Sequence, residues 1–140
     1  MKRLAALTGL AIGLLPAAAV AQTSNAARWL AEQALQEGCN GGGSFGPGGV
    51  TEADLTGDGR DDLVIFTGAI ACADGSVPMT CGAVYCGADI YVREGDLLVF
   101  KGGFLTLCAG LAPGDPPGVA LCDDTNQPWT VRWNGTEFVR

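Results

Sequence analysis

The chain of 140 residues carries eight basic and 15 acidic side chains, six cysteines and no histidine. Its formal net charge of −7 repels phosphate backbones and anionic lipids, which disfavours nucleic acid and membrane surfaces as partners and favours cations or a basic protein. The absence of histidine excludes Ser-His-Asp and Cys-His catalytic systems and the usual catalytic zinc sites.

The N-terminal segment has the pattern of a secretory signal peptide. Lys2 and Arg3 precede an apolar run and then small residues that fit a cleavage site before Gln22. The run is too short to span a bilayer comfortably, and no cysteine stands at the cut to carry a lipid anchor. We therefore predict a signal peptide over residues 1–21 and a single globular domain over 22–140, in the periplasm or secreted. The mature chain keeps six basic and 15 acidic residues, a net charge of −9.

The segment after the cut has the only convincing helical pattern in the sequence. Ser24 or Asn25 can serve as the N-cap, and Gly38 can end the helix. We expect Trp29 to extend the face that packs on the rest of the fold. The apolar residues that recur at helical spacing are Ala27, Leu30, Ala31, Ala34 and Leu35.

Strand patterns follow a Gly-rich loop. The run 63–70 is continuously apolar, which predicts a central strand covered on both faces. The prolines of the segment 109–117 are expected to forbid a regular element there. Strands 88–93 and 97–100 are predicted to form a hairpin. The other predicted strands are 50–55, 103–108 and 118–122.

The last twelve residues predict a β-hairpin. Asn134-Gly135 between two alternating segments is typical of a two-residue turn. That register places Val131 opposite Phe138 on an apolar face, and Arg132 opposite Glu137 as an ion pair on the other face. Its remaining pairs are Trp133 with Thr136 and Trp129 with Arg140, and both tryptophans are expected to be core residues.

Together these elements predict an α+β fold in which the N-terminal helix packs on an antiparallel β-sheet of five to seven strands. An even number of cysteines in a small exported chain indicates that three disulfides staple this fold. A zinc site is the weaker alternative, because the chain has neither histidine nor a CxxC pair. We favour Cys108–Cys122. For the other four cysteines the alternatives are Cys39–Cys86 with Cys72–Cys81, or a Cys81–Cys86 bond.

An Asp-rich segment has the spacing of a cation site. Asp54, Thr56 and Asp58 occupy its positions one, three and five, and Asp62 occupies position nine. Calcium binds six to eight oxygen atoms, and alternate residues of a tightly turning loop can direct their oxygens inward. The two intervening glycines permit the backbone angles of such a turn. Arg60, at position seven, can offer its backbone carbonyl.

The sequence DLTGDGRDDLVI resembles the D-x-[DN]-x-D-G-x-x-D-L calcium loop of FG-GAP and VCBS repeats, which joins two β-strands. The resemblance implies one Ca²⁺ ion, with Asp54, Thr56, Asp58 and Asp62 as side-chain ligands and Arg60 as a carbonyl ligand. The chain has one copy of the loop, so the propeller fold and adhesion roles of those repeats are not implied. The whole chain also resembles small cysteine-containing exported bacterial proteins of unknown function. The alternative is a metal-free turn, which Asp and Gly also favour.

The sequence offers no identifiable catalytic site, because its cysteines are expected to be oxidised and no nucleophile motif is present. The favoured interpretation is a small exported binding or interaction module, stabilised by one calcium ion, whose candidate partner is a protein. An inhibitor of a secreted hydrolase is an alternative that would use an exposed loop such as 109–120. A carboxylate-dependent hydrolase is a further alternative, with Glu52, Asp89 or Glu94 as its candidate residues.

Overall fold

The computed structural model describes residues 23–125 and 127–140, so the predicted signal peptide lies outside the described residues. Among the described residues, no helix has both the length and the apolar character that crossing a bilayer requires. The helix α1 spans Asn25–Gly38, and a 3₁₀ turn spans Thr67–Ala69. The strands are β1 Gly43–Phe45, β2 Val50–Ala53, β3 Asp62–Phe66, β4 Ile70–Cys72, β5 Cys86–Glu94, β6 Leu97–Thr106, β7 Cys108–Ala112, β8 Gly118–Cys122, β9 Pro128–Trp133 and β10 Phe138–Val139.

Eight of these strands form two four-stranded antiparallel sheets. The first sheet has the order β2-β3-β5-β6 and the second has the order β10-β9-β8-β7, while β1 pairs separately with β4. Val64 and Ile90 of the first sheet share a buried cluster with Val119 and Leu121 of the second, so the two sheets pack face to face.

The helix covers the other face of the first sheet. Leu63 and Ile65 of β3 are buried there against Ala27, whereas Val64 between them faces the second sheet. The prediction that this strand is covered on both faces is confirmed, and so is the α+β class with its helix on an antiparallel sheet. The prediction of a single sheet of five to seven strands is wrong, because the ten strands of the described residues divide between two four-stranded sheets and one two-stranded pair. Both faces of the first sheet are apolar and one helix covers only one of them, so a second sheet covers the other.

Ser24 caps α1, as predicted, because its Oγ accepts the N–H of Ala27 at 3.2 Å. Leu30 and Ala34 pack on the first sheet beside Ala27. The prediction that Trp29 extends this packing face is wrong, since its side chain is 57% exposed. The buried stripe runs through positions 27, 30 and 34, and position 29 lies to one side of it on the helix surface.

Strand β3 is shorter than the predicted run 63–70. It ends at Phe66, because the hydroxyl of Thr67 lies 3.1 Å from the carbonyl oxygen of Gly87 and accepts the N–H of Gly87 at 3.0 Å. These side-chain bonds hold the 3₁₀ turn that separates β3 from β4.

The chain passes from the first sheet to the second at Leu107, between β6 and β7. The fully buried Thr106 anchors this corner. Its Oγ1 accepts the N–H of Cys122 at 3.0 Å and lies 2.7 and 2.9 Å from the carbonyl oxygens of Cys108 and Cys122. Leu107 N–H also donates to Cys122 O at 3.0 Å. The predicted strands 97–100 and 103–108 are thus largely one strand. The prediction that segment 109–117 holds no regular element is wrong for residues 109–112, which precede the first proline and belong to β7.

The C-terminal hairpin forms, but its predicted register is wrong by two residues. Phe138 pairs with Trp133, where the prediction paired it with Val131. Asn134 Oδ1 accepts the backbone N–H groups two and three residues ahead, both at 2.9 Å. These bonds close a longer loop than the two-residue turn that the dipeptide suggested.

The predicted ion pair between Arg132 and Glu137 is absent from this hairpin, because the shifted register separates the two residues and Arg132 donates to carbonyls of the β7–β8 turn instead. The predicted neighbours Trp129 and Arg140 do meet. The guanidinium lies 5.1 Å from the indole centroid, a cation–π contact. Trp129 and Trp133 both pack against the buried cluster between the sheets, as predicted.

Three disulfides staple the fold, as predicted, and every cysteine is bonded. Complete pairing of the cysteines in disulfides fits an oxidising compartment such as the periplasm or the exterior of the cell. The predicted pairing of Cys39 with Cys86 and Cys72 with Cys81 is wrong. The pairing of β1 with β4 brings Cys72 to the end of α1, next to Cys39, which leaves the other two cysteines to close a short loop. The bonds are Cys39–Cys72, Cys81–Cys86 and Cys108–Cys122. The favoured bond Cys108–Cys122 is confirmed, and Cys81–Cys86 is the alternative that the sequence left open.

Candidate functional site

The Asp-rich segment forms the tip of the β2–β3 hairpin. Ala53 pairs with Asp62 at the base of the loop, and the chain between them carries the other predicted calcium ligands. The loop therefore joins two adjacent antiparallel strands, which is the context that the resemblance to calcium loops implies.

The carboxylate of Asp54 holds the turn of this loop. Its Oδ1 accepts the N–H groups of Gly57 at 2.7 Å and Asp58 at 3.1 Å, and its Oδ2 accepts the N–H of Gly59 at 2.7 Å. Both glycines have positive φ values, 80° and 83°, that other residues adopt at a cost. The hydroxyl of Thr56 lies 3.5 Å from Asp54 Oδ1. One carboxylate thus organises the backbone of the whole tip.

The carboxylate of Asp62 is fully buried at the base of the loop. Its Oδ2 accepts the N–H groups of Leu55 at 2.9 Å and Thr56 at 3.1 Å, and its Oδ1 accepts the N–H of Arg93 on β5 at 2.8 Å. Burial raises the pKa of Asp62 above its usual value, and the three N–H donors oppose that rise. This side chain ties the loop to two strands.

Asp58 forms an ion pair with Arg60 within the loop. Its Oδ1 accepts the backbone N–H of Arg60 at 2.9 Å, and its Oδ2 lies 3.0 Å from the Arg60 guanidinium. These two bonds hold the pKa of Asp58 below its usual value. The same guanidinium donates to the carbonyls of Gly95 and Arg93, at 3.3 and 3.1 Å, and so bridges the β2–β3 loop to the β5–β6 turn.

The donor set of the loop suits calcium in kind, because every predicted ligand offers oxygen. The arrangement differs from a closed site, since Asp54 and Asp62 accept backbone N–H groups and Asp58 pairs with Arg60. Over residues 23–125 and 127–140, no group of three or more Asp, Glu, Cys or His side chains converges as metal ligands do. The hydrogen bonds alone give the loop a defined turn.

Two of the three predicted hydrolase carboxylates are neutralised by structural ion pairs. Glu52 lies 3.4 Å from the guanidinium of Arg93 and accepts the backbone N–H and the hydroxyl of Ser24 at 2.8 and 2.6 Å. Glu94 lies 2.5 Å from the ammonium of Lys101. The network around Glu52 fixes the start of α1 to the first sheet, a structural role.

The third candidate, Asp89, lines a polar cavity of about 60 Å³ between α1 and β5. Sequence analysis missed the partners that the fold brings to Asp89. The sequence could have indicated the lining residues that α1 contributes, because these four residues recur at helical spacing and so share one face of the helix. They are Leu30, Gln33, Ala34 and Glu37. The lining residues are Leu30, Gln33, Ala34, Glu37, Thr67, Thr80, Asp89 and Tyr91.

The proline-rich loop predicted for an inhibitor is the β7–β8 turn. Its residues 113–116 are exposed. Arg132 donates to Pro113 O at 2.7 Å and to Pro116 O at 3.2 Å, which braces the turn from the neighbouring strand β9. A second, mainly apolar groove of about 110 Å³ lies between α1 and the β5–β6 turn, where Trp29 and Leu97 flank it.

No family model matches the chain, and no curated protein or solved structure is significantly similar to it.

Proposed function

We propose that this protein is a small exported interaction module that binds an extended segment of a basic partner protein along the free edge of β6. The supporting observation is the exposure of large apolar side chains on this strand. Leu97, Phe100 and Leu105 are 68%, 55% and 73% exposed. Apolar exposure of this kind marks interaction surfaces on small proteins. The acidic net charge of −7 favours a basic partner.

Strand β6 ends the first sheet, so one row of its backbone N–H and C=O groups faces away from β5. An extended peptide can pair with such an edge, with backbone bonds supplying affinity and side-chain contacts supplying specificity. Lys101 forms a bulge in β6 and pairs with Glu94, which blunts the middle of the edge. The uncharged stretch Gly102–Thr106, which carries Leu105, is therefore the part to which we assign backbone pairing with the partner. Leu97 and Phe100 extend the exposed apolar surface beyond the bulge.

The first prediction concerns Leu105. We expect Leu105→Lys to weaken partner binding by roughly tenfold or more, because it places a positive charge where a basic segment docks and removes an apolar contact of about 1.5–3 kcal/mol. The partner is captured with tagged protein from the exported fraction of the native cells, and its affinity is then titrated with wild type and variant.

The matched control is Val84→Lys, which makes the same charge change at an apolar residue that is 56% exposed and lies outside the β6 edge. Equal loss of binding in both variants, or no partner for the wild type, contradicts the proposal. Turnover of a glycan or peptide by the purified protein would instead support the hydrolase alternative.

The braced β7–β8 turn favours one particular partner class. Inhibitors of hydrolases present a rigid exposed loop to the enzyme, and the bonds from Arg132 give this turn such rigidity. If the captured partner is a secreted hydrolase whose activity falls on binding, the module is an inhibitor.

We also propose that the β2–β3 loop binds one calcium ion through Asp54, Thr56, Asp58, Asp62 and the carbonyl of Arg60. The support is the all-oxygen donor set, gathered on one hairpin tip with the spacing of known calcium loops. Thr56 supplies a hydroxyl where a carboxylate or amide is usual, so we expect a Kd of about 10⁻⁴ to 10⁻³ M, as in extracellular modules.

The second prediction follows from that site. Calcium at tenfold Kd should stabilise the wild type by roughly 1.4 kcal/mol, a rise of about 5 °C in melting temperature. Asp58→Ala should abolish this rise, because it removes a central carboxylate. Thr56→Asp should enlarge it, and so should Arg60→Gln, because that change frees Asp58 from its competing cation. The loop is a metal-free turn if millimolar calcium leaves the wild-type melting curve unmoved and calorimetry shows no heat.

A further inference from the structure

The cavity between α1 and β5 contains an unsatisfied polar group. Thr80 Oγ1 is buried from solvent and has no hydrogen-bond partner among the described residues. A buried hydroxyl in that state costs free energy unless something fills the cavity and bonds to it. Of the other two hydroxyls in the lining, that of Thr67 is already engaged with Gly87, and the second belongs to Tyr91. A ligand in the cavity that forms a hydrogen bond with Thr80 would remove this cost.

The same cavity holds two carboxylates without a cation. Asp89 is half-buried in its wall, and Glu37 lies at its exposed rim. Burial, and next the negative charge of Glu37, raise the pKa of Asp89 above its usual value. The carboxylate of Asp89 lies over Gly103 of β6, where a Cβ would come within 2.8 Å of Asp89 Oδ1. The absence of a side chain at Gly103 is what makes space for the carboxylate.

None of the basic side chains of the described residues forms an ion pair with these two carboxylates. Each basic side chain is engaged elsewhere, so the two negative charges of the cavity are not compensated by the protein itself. The pairs are Arg28 with Asn25, Arg60 with Asp58, Arg93 with Glu52, Lys101 with Glu94, Arg132 with the β7–β8 turn carbonyls, and Arg140 with Trp129.

We propose that this cavity binds a primary ammonium group. Such a group has three N–H donors, and the cavity offers three acceptors for them in Asp89, Glu37 and the hydroxyl of Thr80. The ring of Tyr91, which packs edge-on to Phe100 at 5.7 Å between centroids, adds an aromatic wall that favours a cation.

The size and chemistry of the cavity disfavour other cations. About 60 Å³ accommodates an ammonium head group with a short alkyl stem. A quaternary ammonium has no N–H to satisfy Thr80. Calcium sites gather several carboxylates at close range, and this lining offers two, one in the wall and one at the rim. The ammonium can belong to a small free amine or to a lysine side chain, since both present the same group.

The test is a titration of the full mature chain with methylammonium chloride and, separately, with N-acetyl-lysine methylamide, at ionic strength held constant with sodium chloride. Binding is followed by NMR shifts of the backbone amides of Thr80 and Asp89. Tighter binding of methylammonium points to a free amine, and tighter binding of the lysine derivative points to a protein side chain. Tetramethylammonium should leave the spectra unchanged.

Three variants and a control locate the site. We expect Asp89→Asn to abolish binding, and Glu37→Gln and Thr80→Val each to weaken it by roughly tenfold. Glu32→Gln makes the same charge change on the same helix at an exposed position outside the cavity, and it should bind as the wild type does. Melting curves verify that the variants fold. Absence of binding to the wild type, equal loss in Glu32→Gln, or unchanged affinity in Glu37→Gln and Thr80→Val overturns the proposal.

Discussion

Replacing Asp62 by alanine is expected to lower the free energy of unfolding by about 3–5 kcal/mol. The reason is that one fully buried carboxylate accepts three backbone N–H groups, from Leu55, Thr56 and Arg93. Its removal leaves donors in a place where water reaches them poorly, and it detaches the loop from β5. Urea unfolding, followed by tryptophan fluorescence, measures the loss.

The control is Asp61→Ala, next to Asp62 in the sequence. Asp61 is exposed, and the contact that it makes to Arg93 uses its backbone carbonyl, which the substitution keeps. We expect a change of less than about 0.5 kcal/mol. The loss in Asp62→Ala should be present in EDTA as well as in calcium, because the three hydrogen bonds do not need an ion. If stability falls only when calcium is present, Asp62 acts as a metal ligand and not as an anchor of the backbone.

Removal of the Cys39–Cys72 bond, by replacing both cysteines with alanine, should cost about 4 kcal/mol. The bond closes a sequence separation of 33 residues, and the entropy of the unfolded chain that it removes grows with the loop length. It also joins the end of α1 to β4, and both cysteines are buried in a small apolar cluster with Ile70. Urea unfolding of the variant against the wild type gives the difference.

Replacement of Cys81 and Cys86 by alanine supplies the comparison. This bond spans a separation of five residues, so the same relation predicts about 2 kcal/mol. The ranking of the two variants matters more than either value. A larger loss from the short loop than from the long one would show that native contacts of the 81–86 segment, and not the entropy of the unfolded chain, dominate.

The elements that sequence analysis predicted well are those that local patterns determine. Ser24 lies directly before a run with helical periodicity, and a cap and a period need no distant information. The burial of Leu63, Val64 and Ile65 was equally local, since three consecutive apolar residues leave neither face of a strand free for solvent. The Asp-rich segment was correctly placed on a hairpin tip, because its Asp and Gly residues favour a turn and strand patterns flank it on both sides.

The predictions that failed depended on contacts between distant residues or on single side chains. The register of the C-terminal hairpin follows from the side chain of Asn134, which bonds to its own loop and lengthens it. The pairing of Cys39 with Cys72 follows from the β1–β4 ladder, two three-residue strands with too little periodicity to be recognised. The end of β3 follows from Thr67, whose bonds to Gly87 cross to another strand.

The polar cavity could be predicted only in part. Asp89 was a candidate because a carboxylate-dependent hydrolase needs only two Asp or Glu side chains at a suitable separation. Nothing in the sequence places Glu37, near the end of a helix, beside a residue in the middle of β5, since the helix can cross a sheet at more than one position. Thr80 lies in an irregular segment, where no periodicity indicates which way a side chain faces.

The corner at Leu107 connects the two sheets rigidly. Strand β6 continues into β7 with a single residue between them, and the buried Thr106 bonds to both of the cysteines that the 108–122 disulfide joins. Sliding of one sheet over the other would have to break these bonds together. The edge of β6 is therefore already extended in the unbound protein. A segment that pairs with it would lose its own conformational entropy, while the module would lose little.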